Sequence, residues 1–170
     1  METTIFVGAV VQGPADSAAC LEFVDGLRDA NAQVVYSELV RLEFANAVAE
    51  IARSDRRRAE LPEEMVKEYD LENWSRDQAV RSRWLQFGMG ELDSLLGSFY
   101  VDEEVPMDDL VLGNALDMMI EHNLRSYDAV HVATARLQSV RHLATCDGAF
   151  QNAAPLTQVV LVTDGGITGL

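Results

Sequence analysis

Four carboxylates stand where the pattern of the chain puts strand ends or the first turns of helices: Glu2, Glu43, Asp128 and Asp147. Glu2 opens the first apolar run, TIFVGAVV, and Glu43 follows the strand-like VVYS at the base of an apolar helix. Asp128 lies in the first turn of SYDAVHVATARL, and Asp147 ends HLATCD. Open α/β sheets bind ligands at the carboxyl ends of their strands, in the crevice where helices begin. The four acids are therefore expected along one edge of a sheet. Taken singly, each has an ordinary role. Asp128 suits the positive end of its helix, Asp147 before Gly148 suits a turn, and Glu43 suits a solvated face like Glu38 and Glu50. Gathered together they would repel one another and need a counter-charge. A hard divalent cation, Mg²⁺ or Mn²⁺, supplies it with carboxylates and waters as ligands. Such a centre suits hydrolysis of a phosphodiester.

The elements that must position these acids alternate between strands and helices. Gly13-Pro14 breaks the chain after the first apolar run, and Asp16 or Ser17 is placed to cap the helix SAACLEFVDGLRDAN. AQVVYS, short and rich in β-branched and aromatic residues, is expected to be a buried strand. From Leu42 a helix follows, with Phe44, Ala47, Val48 and Ile51 at helical spacing, running into the arginine-rich ARSDRRRAEL. Pro62 opens a second helical region that continues through DLENWSRDQAVRSRWLQF. Gly88 and Gly90 are expected to interrupt it before ELDSLLGSFY. Trp74, Trp84, Leu92, Leu95 and Phe99 supply an inner face. A short strand and turn in VDEEVPMDD precede LVLGNALDMMIEHN, capped by Asp108 or Asp109. The last third reads as helix SYDAVHVATARLQSV with Ser126 as its cap, strand HLATCD, a turn with a small helix, and a final strand TQVVLVT. With no consecutive hairpins in view, this order predicts an α/β protein: a three-layer sandwich with a mainly parallel central sheet flanked by helices. The 170 residues, 48% of them hydrophobic, are expected to form one domain with a full core.

Charge divides the chain. The formal net charge is −15, and the basic residues are twelve arginines and a single lysine, Lys67. A lysine-poor, acidic surface fits adaptation to high salt, where self-repulsion is screened, and a GC-rich coding bias would deplete lysine as well. An overall charge of −15 argues against a nucleic-acid partner, because phosphates need local positive charge. Locally the picture reverses, since seven arginines lie between residues 53 and 83, including Arg53, Arg56, Arg57 and Arg58. They are read either as a solvated helix face or as a patch for phosphate or an acidic partner. The two cysteines and three histidines have no zinc-ligand spacing; the bland expectation for Cys20 and Cys146 is a pair of small buried thiols. His131, three residues beyond Asp128, can face the same crevice or serve the core or surface. No apolar run approaches the ~20 residues that span a bilayer, and no basic leader stands at the start, so a cytoplasmic protein is expected.

SELVRLEF, with Ser37 six residues before Glu43, resembles the second motif of the PIN-domain ribonucleases. LRSYDAVHVATARL resembles their third motif, and HLATCDGAF their fourth, with Thr145, Asp147 and Phe150. The resemblance covers nearly the whole chain and is nearest to the VapC-type toxins of toxin–antitoxin pairs. It implies a PIN-like fold and Mg²⁺- or Mn²⁺-dependent endoribonuclease activity, often on structured RNA such as tRNA or rRNA. It also implies a homodimer and a small antitoxin that wraps the toxin. Glu43, Asp128, Asp147 and Glu2 become the catalytic and metal-binding residues, with Ser37 and Thr145 in support. Residues 60 to 100 become a variable helical clip that shapes the substrate groove, and the neighbouring Arg53, Arg56, Arg57 and Arg58 position phosphates.

The family's first motif is Asp-Thr-Asn at the end of the first strand; only Glu2-Thr3-Thr4 matches it here. Three readings of Glu2 stand side by side: a metal ligand with shifted geometry, a chain whose start lies downstream of the true one or has been altered, or a degenerate and catalytically weak member. The second function to weigh is therefore a PIN-like binding module that engages an antitoxin or RNA without cleaving. An acidic phosphotransfer domain is disfavoured, because it would need an acid pair after the first strand and a late lysine, and Lys67 is not late.

Overall fold

The computed structural model describes residues 1–11, 17–153, 155–163 and 166–169. The apolar run that opens the chain is a helix, α1 (Thr3–Val10), despite its β-branched content. Ile5 and Phe6 are fully buried, so burial outweighs the weak local preference for strand. α2 (Ser17–Asp29) follows; Gly13-Pro14 and the cap candidate Asp16 lie outside the described residues. Then come β1 (Gln33–Ser37) and α3 (Leu39–Arg53), which starts at Leu39 rather than Leu42. Short helices α4 (Asp55–Arg58) and α5 (Glu63–Glu68) lead through a 3-10 turn at Leu71–Asn73 to the long helix α6 (Gln78–Leu96). β2 (Val101–Val105), α7 (Asp109–His122), α8 (Ser126–Leu137) and β3 (His142–Thr145) come next. A 3-10 segment at Gly148–Ala153, β4 (Gln158–Thr163) and β5 (Gly166–Thr168) complete the order.

The strands form two small sheets in place of the single central sheet expected from their alternation. β1 and β2 pair in parallel, Gln33 against Val101 through Ser37 against Val105. β3 and β4 pair in parallel, and β5 returns antiparallel to β4, a final hairpin that the sequence pattern did not suggest. Residues 1 and 2 join the two sheets. The Met1 amino group donates to Val35 O at 2.6 Å, and Glu2 N–H donates to Ala144 O at 3.0 Å. Two residues of extended backbone thus stand between β1 and β3, and the chain turns into α1 directly afterwards.

Alternate strand residues enter separate apolar clusters, as the period of two requires. Val34, Tyr36, Ala144, Val160 and Val162 join the cluster built with α1, α2, α3 and α6. Leu143 joins the cluster of α7 and α8, with Val35 and Val159 packed against it. Helices therefore lie on both faces of β1, β3 and β4, while β2 stays exposed except at Val105. No helix among the described residues is long and apolar enough to cross a membrane.

Expected boundaries shift at α6 and α8, while the expected cap of α7 holds. Asp77, within the segment read as one helix, caps α6 by accepting from Ala79 N–H at 2.7 Å, so DLENWS stays outside that helix. Ser126 is the first residue of α8, while extended Arg125 occupies the cap position. Asp108 caps α7, accepting from Val111 N–H at 2.9 Å. α6 runs unbroken through Gly88 and Gly90. Gly88 is there for contact: a Cβ at that position would lie 2.9 Å from Val48 Cγ1 on α3. Four residues earlier on α6, the Trp84 indole N–H donates to Val48 O at 2.8 Å. Gly90 is exposed, with nothing near its would-be Cβ.

The two glycines should therefore respond in opposite ways to alanine. Gly90→Ala should stabilise the protein by roughly 0.5–1 kcal/mol through helix propensity. Gly88→Ala should lose that gain to the clash with β-branched Val48 and come out neutral or destabilising. Urea unfolding of both variants checks this, and an equal gain at the two positions would show that α3 and α6 are not closely packed there.

Candidate active site

The sequence ends β1 with a serine, and that serine starts the helix carrying Glu43. Buried Ser37 accepts from Leu39 N–H through Oγ at 3.0 Å, satisfying one of the donors that a helix start leaves open. Glu38 N–H donates to Val105 O at 2.8 Å, tying the same turn to the end of β2. Glu43 Oε2 accepts from Thr3 Oγ1 and lies 2.8 Å from Nε2 of His131. His131 is only 3% exposed and sits three residues beyond Asp128 on α8, on the same side of the helix.

Glu2 is the second centre. It occupies the cap position of α1 in extended conformation and is 6% exposed. Its Oε2 accepts from Thr4 Oγ1 and, at 3.0 Å, from the buried Thr145 Oγ1 at the end of β3. Thr145 Oγ1 in turn accepts from Asp147 N–H at 2.9 Å, and Asp147 Oδ1 accepts from Ala149 N–H at 2.8 Å. Cys146 N–H donates to Thr4 Oγ1 at 3.0 Å. The first turn of α1 is thus laced to the turn after β3 by side-chain oxygens, with Glu2 in the middle.

The charges are crowded. Burial, then the charge of Asp147, raises the carboxyl of Asp128; Glu2 adds to the rise, while Arg125 and His131 oppose it. Burial alone would raise Glu43 too. The hydrogen bond and charge of His131, with the Thr3 hydrogen bond, outweigh it and hold Glu43 below its usual value. One ligand atom from each of Glu2, Glu43 and His131 lies within 4.8 Å of the others. Two carboxylates and an imidazole at that spacing fit a divalent cation, and the imidazole makes Mn²⁺ at least as suitable as Mg²⁺. Asp128 and Asp147 supply further negative charge beside it. The fit rests on this donor set together with the raised Asp128, whose charge a cation would relieve.

The structure brings Glu2, Glu43, Asp128 and Asp147 to the carboxyl ends of β1 and β3, with Ser37 and Thr145 holding the flanking turns. It places the arginines elsewhere. Arg53 pairs with Glu50. Arg58 pairs with Asp55 and donates to Ala52 O at 2.8 Å and Leu71 O at 3.4 Å, so it fastens the backbone where the middle helices begin. Arg56 and Arg57 are exposed. His131 carried only an equivocal signal in the sequence; its spacing from Asp128 was the clue, and its burial against Glu43 gives it a part. Thr3 and Thr4 were legible only as part of the Glu2-Thr3-Thr4 match, because their roles depend on contacts with Glu43 and Cys146, far along the chain.

Parallel strand pairs flanked by helices, with an acidic centre at the strand ends whose donors fit a divalent cation, define an α/β protein with a candidate metal site. The family comparison narrows this class: the model of the PIN domain matches residues 1–155. The chain belongs to the PIN domain family, whose members are generally nucleases and typically use divalent metals. No curated protein and no solved structure matches it.

A raised Asp128 has a definite consequence for stability. The folded state holds this proton more tightly than the unfolded chain, so stability falls as pH rises through the window above the ordinary carboxylate value of about 3.9. Asp128→Asn removes that loss. Metal-free Asp128→Asn should be more stable than the parent at pH 7, by roughly 0.5–1 kcal/mol, with the gap closing towards pH 4. Thermal melts in chelator at the two pH values check it; a gap that widens on acidification would contradict the crowding of charge.

Proposed function

We propose that this protein is a metal-dependent endoribonuclease, the toxin of a toxin–antitoxin pair, hydrolysing RNA phosphodiesters. The observation that carries the proposal is the gathering of Glu2, Glu43, Asp128, Asp147 and His131 at the carboxyl ends of β1 and β3, in a chain matched to the PIN domain. Glu2, Glu43 and His131, with Asp128 and Asp147 beside them, would hold Mg²⁺ or Mn²⁺. The cation, when bound, supplies Lewis acidity and offsets charge on the scissile phosphate.

The side chains do the remaining work. Thr145 and Thr4 hold Glu2 in a fixed orientation, and the fixed turn through Asp147 keeps its carboxylate beside that of Asp128. Asp128, whose affinity for a proton is raised by burial and by the charge of Asp147, is an acid whose charge a bound cation would relieve. His131 orients Glu43 through their 2.8 Å contact and lowers the affinity of Glu43 for a proton. Mixed-length acids are compatible with the site, because Glu2 reaches it from a helix cap.

In this proposal Arg56 and Arg57, exposed on α4 away from the acidic centre, would contact RNA phosphates other than the scissile one, with Arg53 beside them. A protein partner is supported by an exposed apolar stripe on α7, where Leu112, Leu116 and Ile120 follow one another at helical spacing. A second copy of the chain and an antitoxin are the partners that a VapC-type toxin would place on such surfaces. The helical middle from residue 60 to 100 would form the clip over the substrate groove.

RNA cleavage should require Mn²⁺ or Mg²⁺ and fall at least ~100-fold in Asp128→Asn and in Asp147→Asn, with the circular dichroism spectrum unchanged. Cleavage that survives chelation or either substitution would sink the mechanism. Cation binding seen by calorimetry without any cleavage would instead move the chain to the binding-module reading. Arg56→Ala and Arg57→Ala should each weaken RNA binding and flatten its salt dependence by about one unit of log–log slope. A salt titration of binding that keeps its slope would take these arginines out of the interface.

A further inference from the structure

Cys20 on α2 and Cys146 after β3 are 126 positions apart, yet their Sγ atoms lie 3.2 Å from one another. That is closer than two sulfurs in ordinary van der Waals contact. The two thiols differ in access: Cys20 is completely buried, and Cys146 is partly exposed. Cys146 also immediately precedes Asp147, and its backbone N–H is tied to Thr4, which in turn bonds Glu2. We propose that Cys20 and Cys146 form a reversible internal disulfide that staples α2 to the turn carrying Asp147.

The geometry sets the order of events. A small-molecule disulfide such as oxidised glutathione reaches only Cys146. The Cys146 thiolate attacks one glutathione sulfur, a mixed disulfide forms, and one glutathione thiolate leaves. The Cys20 thiolate then attacks the Cys146 sulfur, the Cys20–Cys146 bond forms, and the second glutathione departs as thiolate. Two protons leave the protein, its two thiols are oxidised, and one glutathione disulfide is reduced to two glutathiones. The sulfurs need to approach by only about 1 Å to reach the ~2.05 Å of a disulfide. The bond would draw the Asp147 turn towards α2, and reduction would release it. This chemistry stands apart from the nuclease proposal, so either can fail without the other.

The test is to incubate the full chain with oxidised glutathione, block remaining thiols with an alkylating reagent, and record intact mass before and after reduction. The parent protein should lose both alkylatable thiols and about 2 Da, and should retain no glutathione. A peptide linking positions 20 and 146 should appear in a non-reducing digest. Cys20→Ser should trap glutathione on Cys146, a gain of about 305 Da, whereas Cys146→Ser should stay unmodified because Cys20 is buried. Closing so long a loop should raise the thermal midpoint of the oxidised parent by about 5 °C or more. Retained glutathione on the parent, two thiols still open to alkylation, a cross-linked dimer on a non-reducing gel, or a lower midpoint after oxidation would each overturn the proposal.

Discussion

Two backbone hydrogen bonds hold the rest of the molecule in register: Met1 to Val35 on one side and Glu2 to Ala144 on the other. β1 and β3 are each half of a strand pair and would otherwise present open edges to one another. A buried edge with unmet backbone groups costs about 1–3 kcal/mol for each group left unpaired. The two bonds meet part of that requirement with a minimum of chain. They also place Glu2 at the level where both strands end, because an extended residue advances about 3.3 Å and the chain must then turn. The bridging segment and the acidic centre are therefore one feature. The amino group of Met1 reflects the same confinement: burial lowers it to about 6, against a smaller opposing effect of Glu2.

Around this bridge the protein concentrates negative charge in a partly buried place, which on its own is unfavourable. Several parts of the fold soften it. The N-termini of α1 and α8 bring their positive ends to Glu2 and Asp128. Hydroxyls from Thr3, Thr4 and Thr145 donate to Glu2 and Glu43. His131 faces Glu43 at 2.8 Å. Asp128 is left least compensated, and it is the acid whose proton affinity rises. Glu43, which meets Thr3 and His131, is held low, whereas burial and the charge of Asp147 hold Asp128 high.

Much of this was legible in the sequence where the signal was local. Glu43, Asp128 and Asp147 could be placed at strand ends because the flanking apolar runs have clear periods, and Asp108 could be read as a cap from the helix it precedes. Ser37 was legible as part of a motif, though its work as a cap became visible only in the backbone. The break between the two sheets was not legible, because alternation of elements says nothing about which edges meet. The helix at α1 was hidden by β-branched residues that fit a strand equally well. Gly88 looked like punctuation; a glycine required by close approach and a glycine that ends a helix have the same letter, and only Val48 distinguishes them. The juxtaposition of Cys20 and Cys146 depends on the packing of α2 against α1 and β4, for which no short-range pattern exists.

The seam between α3 and α6 has a bearing on how this protein can diversify. Val48 contacts Gly88 and accepts from Trp84, and it lies on the same helix as Glu43. The long helix of the middle region is therefore mounted on the scaffold of the acidic centre, with its inward face committed. Substitution on this helix is tolerated most readily at its outward residues, such as Arg83 and Gln86. A lineage could remodel that outer surface freely while the mounting stays fixed. An exchange of the whole segment between relatives would succeed only where the glycine, the indole donor and the valine travel together.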